Sequence, residues 1–250
     1  MTAVGIVPAR WHSSRFPGKP LAPIAGVPMI QRVVEGARRA KSLRDVIVAT
    51  DDPRIAEACR AFGAPVTMTA ADHPTGTDRL AEAAAALSDD VVVNVQGDEP
   101  LIEGFVIDAA VAALEESRDA ALSTVVHRAE PEALEDPNRV KVVLDRHGDA
   151  LYFSRAPIPA RRADAPEPPL WQHVGLYAYR RDFLGRFVSL APTPLERAEA
   201  LEQLRALEHG FRIRVAVIEG WRSVPVDAPA DVARVEAELA RRARTARRGT

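Results

Sequence analysis

Arg10, Arg15 and Lys19 stand in the stretch PARWHSSRFPGKP (8–20), which contains no acid. Two arginine forks and one lysine point charge suit a phosphorylated ligand. Arginine grips phosphate oxygens in pairs, and an ammonium can sit between two phosphates. Gly18 lets the backbone come close to such a ligand. The plainer reading is a solvated surface loop. A Walker loop is excluded, because position 13 is Ser where a glycine is required and Lys19 is followed by Pro20. No G-x-G-x-x-G fingerprint follows the first apolar run either.

Three further stretches could do chemistry. VNVQGDEP (93–100) ends a strand and delivers Gln96, Gly97, Asp98 and Glu99. Asp98 could be a Mg²⁺ ligand, since Mg²⁺ is held by one or two carboxylates plus phosphates and water. The second carboxylate would come from far along the chain, with Asp227 of VPVDAPAD as the best candidate. Gly-Asp is also ordinary turn chemistry, and Asp227 could simply cap a helix; the two residues alone leave this open. TAADHPTGTDRL (69–80) places Thr75, Gly76 and Thr77 at a helix start, with hydroxyls and N–H groups for an anion or a ribose.

Other residues are more ambiguous. His173 and Tyr177 of WQHVGLYAYR share a strand face by their spacing. Arg155 in YFSRAPIP lies between apolar runs and needs a partner if buried, either an acidic substrate or a nearby Glu. Glu199, Glu202 and Gln203 face solvent by default on a helix expected at 193–210. No His/Cys/Asp/Glu group has zinc spacing.

The elements that must position these residues alternate. Strands are expected at 3–9, 45–51, 65–69 and 91–96, and helices at 28–40, 53–62, 77–87 (Thr77 as N-cap) and 105–116. The strands are apolar on both faces, which predicts a parallel sheet covered on two sides. Ligands of such sheets bind beyond the carboxyl ends of the strands, where 8–20, 50–53, 70–77 and 97–101 lie. After about residue 118 the text turns strand-rich and predicts an antiparallel or mixed section. Thr193, Pro194 and Glu196 form a capping box for the 193–210 helix, and Gly210 stops it. A strand at 212–218 and a last helix follow; 160–170 reads as a proline-rich loop and the basic end as frayed.

Bulk properties narrow the partners. The 250 residues carry a formal net charge of −2, so no global field draws nucleic acid or an anionic membrane. No apolar run approaches a membrane span. The one cysteine, Cys59, allows no intramolecular disulfide and reads as a packing residue. Only Lys19, Lys41 and Lys141 are lysines among 33 basic residues, which makes Lys19 informative in a chain that otherwise uses arginine.

PAR-x4-R-x-PGKPL, ADHPTGTDRLAE, VNVQGDEP, YFSRAPIP, HVGLYAYRR, LEQLRALE and VD-x-P-x-D together resemble the 3-deoxy-manno-octulosonate (KDO) cytidylyltransferase family, over about residues 3–240. The resemblance implies an α/β nucleotide-diphospho-sugar transferase fold, Rossmann-like, with a mixed sheet, helices on both faces and a smaller dimerisation and substrate subdomain. It implies one domain over 1–250: a nucleotide-binding part (1–118), a sugar-binding and dimerisation part (119–211), a return to the core sheet (212–240) and a tail (241–250). The implied reaction is CTP plus KDO giving CMP-KDO and pyrophosphate with Mg²⁺, in a cytoplasmic homodimer with no nucleic-acid partner and no membrane insertion. A related acid sugar, or a non-catalytic nucleotide binder, is the alternative. Carried onto this sequence, Pro8, Ala9, Arg10, Arg15, Lys19, Thr75, Gly76, Thr77 and Arg79 fall in the nucleotide motifs, with Arg10, Arg15, Lys19 and Asp98 as catalytic groups. Asp98 and Asp227 match the metal carboxylates; Gln96, Arg155, His173, Tyr177, Glu202 and Gln203 match positions around the sugar. The last motif has Pro225 where the family has glycine.

Overall fold

The computed structural model describes residues 1–12, 15–160, 162, 164 and 168–248. In chain order the elements are β1 (Ala3–Ala9), β2 (Pro23–Ile24), β3 (Val27–Pro28), α1 (Met29–Ala37), β4 (Leu43–Thr50), α2 (Pro53–Ala61), β5 (Val66–Met68), α3 (Gly76–Ala84), β6 (Val91–Asn94) and α4 (Gly104–Glu116). Then follow β7 (Ala120–Arg128), β8 (Lys141–Leu144), β9 (Ala150–Ser154), β10 (Trp171–Arg180), α5 (Arg181–Phe187), α6 (Pro194–Glu199), α7 (Gln203–Glu208), β11 (Arg212–Ile218) and α8 (Asp231–Arg248). The fold is mixed α/β. The chain forms two compact units.

The first unit comprises residues 2–89, 94–107 and 223–250. Its strands β1, β4 and β5 run parallel, with Ala9 opposite Thr50 and Thr50 opposite Met68. Every residue of β1 except Pro8 is buried, as the two-faced apolar run predicts. Past β6, the Val95 N–H donates to the Ile6 carbonyl (3.0 Å), so residues 96–99 emerge beside the end of β1. Helix α2 starts where Asp52 accepts the Arg54 N–H (2.9 Å) and Pro53 takes the first helical position. Cys59 is fully buried on α2, and burial pushes its thiol up to about 11, in keeping with a packing role.

The second unit comprises residues 1, 90–93 and 108–222. It bears out the expected mixed pairing: β10 lies antiparallel to β7 and β8, β8 antiparallel to β9, and β11 parallel to β7. Because β11 pairs with β7 along its length, residues 212–222 belong to this unit. Residues 108–118 belong to this unit too, and the chain leaves it at Ser223.

Three local expectations are corrected. The N-cap of α3 is Thr75, not Thr77. Its hydroxyl accepts from the Thr77 and Asp78 N–H groups, and Asp78 answers by accepting the Thr75 N–H (3.1 Å). The single helix expected over 193–210 is two, parted at Ala200, which has φ +50°. There the carbonyls of Glu199 and Ala200 accept from the Arg155 guanidinium (2.7 and 3.2 Å), and the backbone turns out of the helix. The basic tail expected to fray is helical through Arg248; Gly249 and Thr250 lie outside the described residues, as do positions 161, 163 and 165–167 of the proline-rich 160–170 loop.

Candidate active site

Local chemistry builds the loop after β1. The Gly18 N–H donates to the Trp11 carbonyl (3.0 Å), and a short 3-10 turn over Lys19–Leu21 follows. Gly18 has φ +70°, and a Cβ there would lie 3.1 Å from the Trp11 ring, so glycine is required twice over. The Trp11 ring is also covered by the Arg54 guanidinium, 3.4 Å from the ring centroid, itself forked onto Asp52 (2.9 and 2.6 Å). This stack fixes the loop from which Lys19 projects.

Lys19 Nζ donates to Asp98 Oδ2 (3.1 Å) and to the Val226 carbonyl (2.8 Å). Arg15 Nη2 donates to Asp227 Oδ1 (3.1 Å). The Val226 N–H reaches the Asp98 carbonyl (2.9 Å), tying the two carboxylate-bearing segments together. The alternative reading of Asp227 as a cap is settled by its neighbour. Asp231, at the start of α8, accepts the N–H groups of Asp227 and Ala228 (both 2.9 Å), and the Asp227 carboxylate is left to Arg15.

Glu99 adds a group to which sequence reasoning gave no role. It is 6% exposed, accepts the Ser223 hydroxyl, and is pushed up to about 8 by burial, with the negative charges of Asp98 and Asp227 adding to the effect. Its place in an ordinary Gly-Asp-Glu turn carries no signal of that burial.

One cleft of this unit is lined by Pro8, Ala9, Arg10, Arg15, Lys19, Thr75, Gly76, Arg79, Gln96, Asp98 and Asp227. These are all of the expected nucleotide and metal residues except Thr77, together with Gln96, expected near the sugar. Thr77 is buried at the start of α3 and does not line it. Arg79 is nearly buried and held by Asp51 (3.1 Å) and the Thr69 hydroxyl, so only part of it meets the cleft. His73, Pro20 and Gly97 also line the cleft and were not anticipated as site residues. His73 pairs with Glu82, nine positions away, a spacing no local pattern reveals. The cleft therefore gathers Arg10, Arg15 and Lys19 with two carboxylates beside the start of α3.

In the other unit, Tyr177 and His173 have ring centroids 5.4 Å apart. A two-residue bulge in β10 between Val174 and Tyr177 keeps both on one face, as the spacing predicts. His173 Nε2 lies 2.9 Å from the Thr124 hydroxyl, and burial holds the ring down to about 3, so the imidazole is neutral near pH 7. Burial, and then the Glu202 charge, raises the Tyr177 phenol. Gln203 is buried rather than solvent-facing, and its Nε2 has no hydrogen-bond partner among the described residues. Glu199 is likewise turned inward, onto the Ser154 hydroxyl (2.6 Å) and the Arg155 N–H (2.8 Å).

The family model for cytidylyltransferases matches residues 4–213. The chain is 53% identical to 3-deoxy-manno-octulosonate cytidylyltransferase of Geobacter metallireducens over 254 aligned positions, covering 96% of this chain and 99% of that one. It is 52% identical to the protein of the same name from Solibacter usitatus, covering 93% and 92%. The chain belongs to the 3-deoxy-manno-octulosonate cytidylyltransferase family. A solved structure of CMP:2-keto-3-deoxy-manno-octonic acid synthetase complexed with CTP superposes on this cytidylyltransferase with TM-score 0.91, at 42% identity, covering 97% of this chain and all of that one. A cytidylyltransferase of Leptospira borgpetersenii, at 18% identity and TM-score 0.63, shares the fold.

Proposed function

We propose that this chain transfers CMP from CTP to 3-deoxy-manno-octulosonate. The observation that carries the reading is the cleft in which Arg15 and Lys19 face Asp227 and Asp98 beside the N-terminus of α3. In the reaction, the anomeric hydroxyl oxygen bonds to the α-phosphorus as the bond from that phosphorus to the pyrophosphate oxygen breaks. Pyrophosphate leaves in line, and the hydroxyl proton passes to solvent. Catalysis of this kind is positioning plus charge neutralisation.

Arg10, Arg15 and Lys19 stabilise charge gathering on the α-phosphate and pyrophosphate. Gly76, the first residue of α3, supplies a helix-start N–H group, and Thr75, whose own N–H is held by Asp78, caps that helix on the cleft. Asp98 and Asp227 would hold Mg²⁺. They fit it, being partly exposed carboxylates on one cleft, whereas no three His, Cys, Asp or Glu side chains gather to hold a metal among the described residues. Such a donor set leaves ligand positions for phosphate oxygens and water. When bound, the ion lowers the pKa of the attacking hydroxyl.

By the family resemblance Tyr177, Glu202 and Gln203 serve the acid sugar, together with His173 as a neutral hydrogen-bonding group and Arg155; Gln96, matched to the same role, lines the cleft of the first unit. The orphaned Gln203 Nε2 supports this, because a buried donor without a partner is costly until a ligand meets it. The reading includes a cytoplasmic homodimer supplying an activated sugar for lipopolysaccharide, carried by family resemblance; no helix among the described residues is long and apolar enough to cross a membrane.

The test is pyrophosphate release from CTP with KDO, a sialic-type acid and an amino-KDO in parallel, each with and without Mg²⁺. Release with KDO well above the others is expected. CTP binding without release would make the chain a nucleotide-binding protein instead, and release with another acid alone would reassign the sugar.

A further inference from the structure

Both carboxylates of the cleft are paired with cations of the loop after β1: Asp98 with Lys19, and Asp227 with Arg15. Two negative and two positive charges cancel. A divalent cation arriving alone meets ligands already held by an ammonium and a guanidinium. A triphosphate arriving alone must draw both cations off their carboxylates and leave two bare negative charges beside its own. When the two arrive together, one exchange satisfies every group: carboxylates turn to the metal, and cations turn to phosphate oxygens.

We propose that Lys19 and Arg15 are exchange counter-ions, holding Asp98 and Asp227 before substrate binds and moving to the phosphates when metal and nucleotide enter together. The metal and nucleotide sites are thereby coupled through these ion pairs, and the coupling is reciprocal. This rests on the CTP-dependent reading above. The Lys19 pair carries most of it. Its partners are 17% and 31% exposed, and the ammonium is also fixed by the Val226 carbonyl, whereas the Arg15 pair is 64% and 44% exposed and weakened by solvent.

The experiment is a Mn²⁺ titration of the nucleotide-free protein, following the electron paramagnetic resonance signal of free Mn²⁺. Lys19→Met should tighten Mn²⁺ binding by about three- to tenfold, and Arg15→Met by about threefold or less. Arg10→Met is the control. Arg10 lines the same cleft with the same charge but has no ion pair among the described residues, so its loss reports charge alone. A clearly larger gain for Lys19→Met than for Arg10→Met supports the exchange. Equal gains, no gain, or no Mn²⁺ binding by any variant overturns it. Lys19→Gln repeats the measurement if Lys19→Met misfolds. Calorimetry with CTP and Mn²⁺ on the unaltered protein keeps the two levels apart. No CTP binding sinks the cytidylyltransferase reading, whereas CTP binding with equal Lys19→Met and Arg10→Met gains sinks only the exchange.

Discussion

Arg155 and Glu199 meet twice: the Arg155 backbone N–H donates to Glu199 Oε2 at 2.8 Å, and Arg155 Nε donates to the Glu199 carbonyl at 2.7 Å. With Pro137 and Ala200 also accepting from the guanidinium, one side chain pins the corner between α6 and α7 that presents Glu202 and Gln203. The sequence left its partner open between an acidic substrate and a nearby Glu. Here the guanidinium holds three backbone carbonyls, those of Pro137, Glu199 and Ala200, while the Glu199 carboxylate takes the Arg155 backbone N–H.

Arg155→Ala should therefore cost stability as well as sugar handling. Loss of hydrogen bonds from a charged donor predicts about 1–3 kcal/mol, read from urea unfolding. The KM for the sugar should rise more than the KM for CTP. Equal stability with an unchanged sugar KM would remove Arg155 from both roles.

Lys19→Ala and Asp98→Ala should each lower kcat by about 10²-fold or more, the scale for losing one aligned electrostatic element. Asp227→Asn should shift the Mg²⁺ titration of activity to higher concentration. An unshifted titration would take Asp227 out of the metal site.

Gly18→Ala forces a side chain into a left-handed backbone position against Trp11. A cost of about 1–2 kcal/mol is expected from the backbone alone. Since Lys19 is the next residue, the KM for CTP should rise while the sugar KM holds. A variant with native stability and CTP kinetics would show that the stack on Trp11 does not position Lys19.

His173 gives a pH signature. Burial holds the folded ring at about 3, while an unfolded histidine titrates near 6.5. Between those values the unfolded chain binds a proton that the folded chain does not, so stability falls as pH drops below about 6.5. The slope from this group is at most about 1.4 kcal/mol per pH unit. His173→Gln should flatten the stability profile between pH 6.5 and 4.5 in denaturant melts. Parallel profiles for the two proteins would contradict the neutral, buried ring.

Much of this was legible in the chain text, because it depends on neighbours. The burial of β1 and β6 follows from unbroken apolar runs, and the α6 start from Thr193 and Glu196 three residues apart. The loop cations pointed to a phosphorylated ligand by type alone. Local text could not show that Lys19 would sit on Asp98, 79 positions away, and on the Val226 carbonyl, 207 positions away. Nor could it show that Ala200 would break an otherwise well-formed helix, since the donor that holds the break open is Arg155 on β9's end. Glu99 and Asp98 are adjacent and chemically alike, yet one is buried and protonated to about 8 while the other faces the cleft. Propensity and capping act over a few residues and are written in the sequence. Burial and ion pairing depend on which distant segments the packed core brings together, and only the tertiary structure decides that.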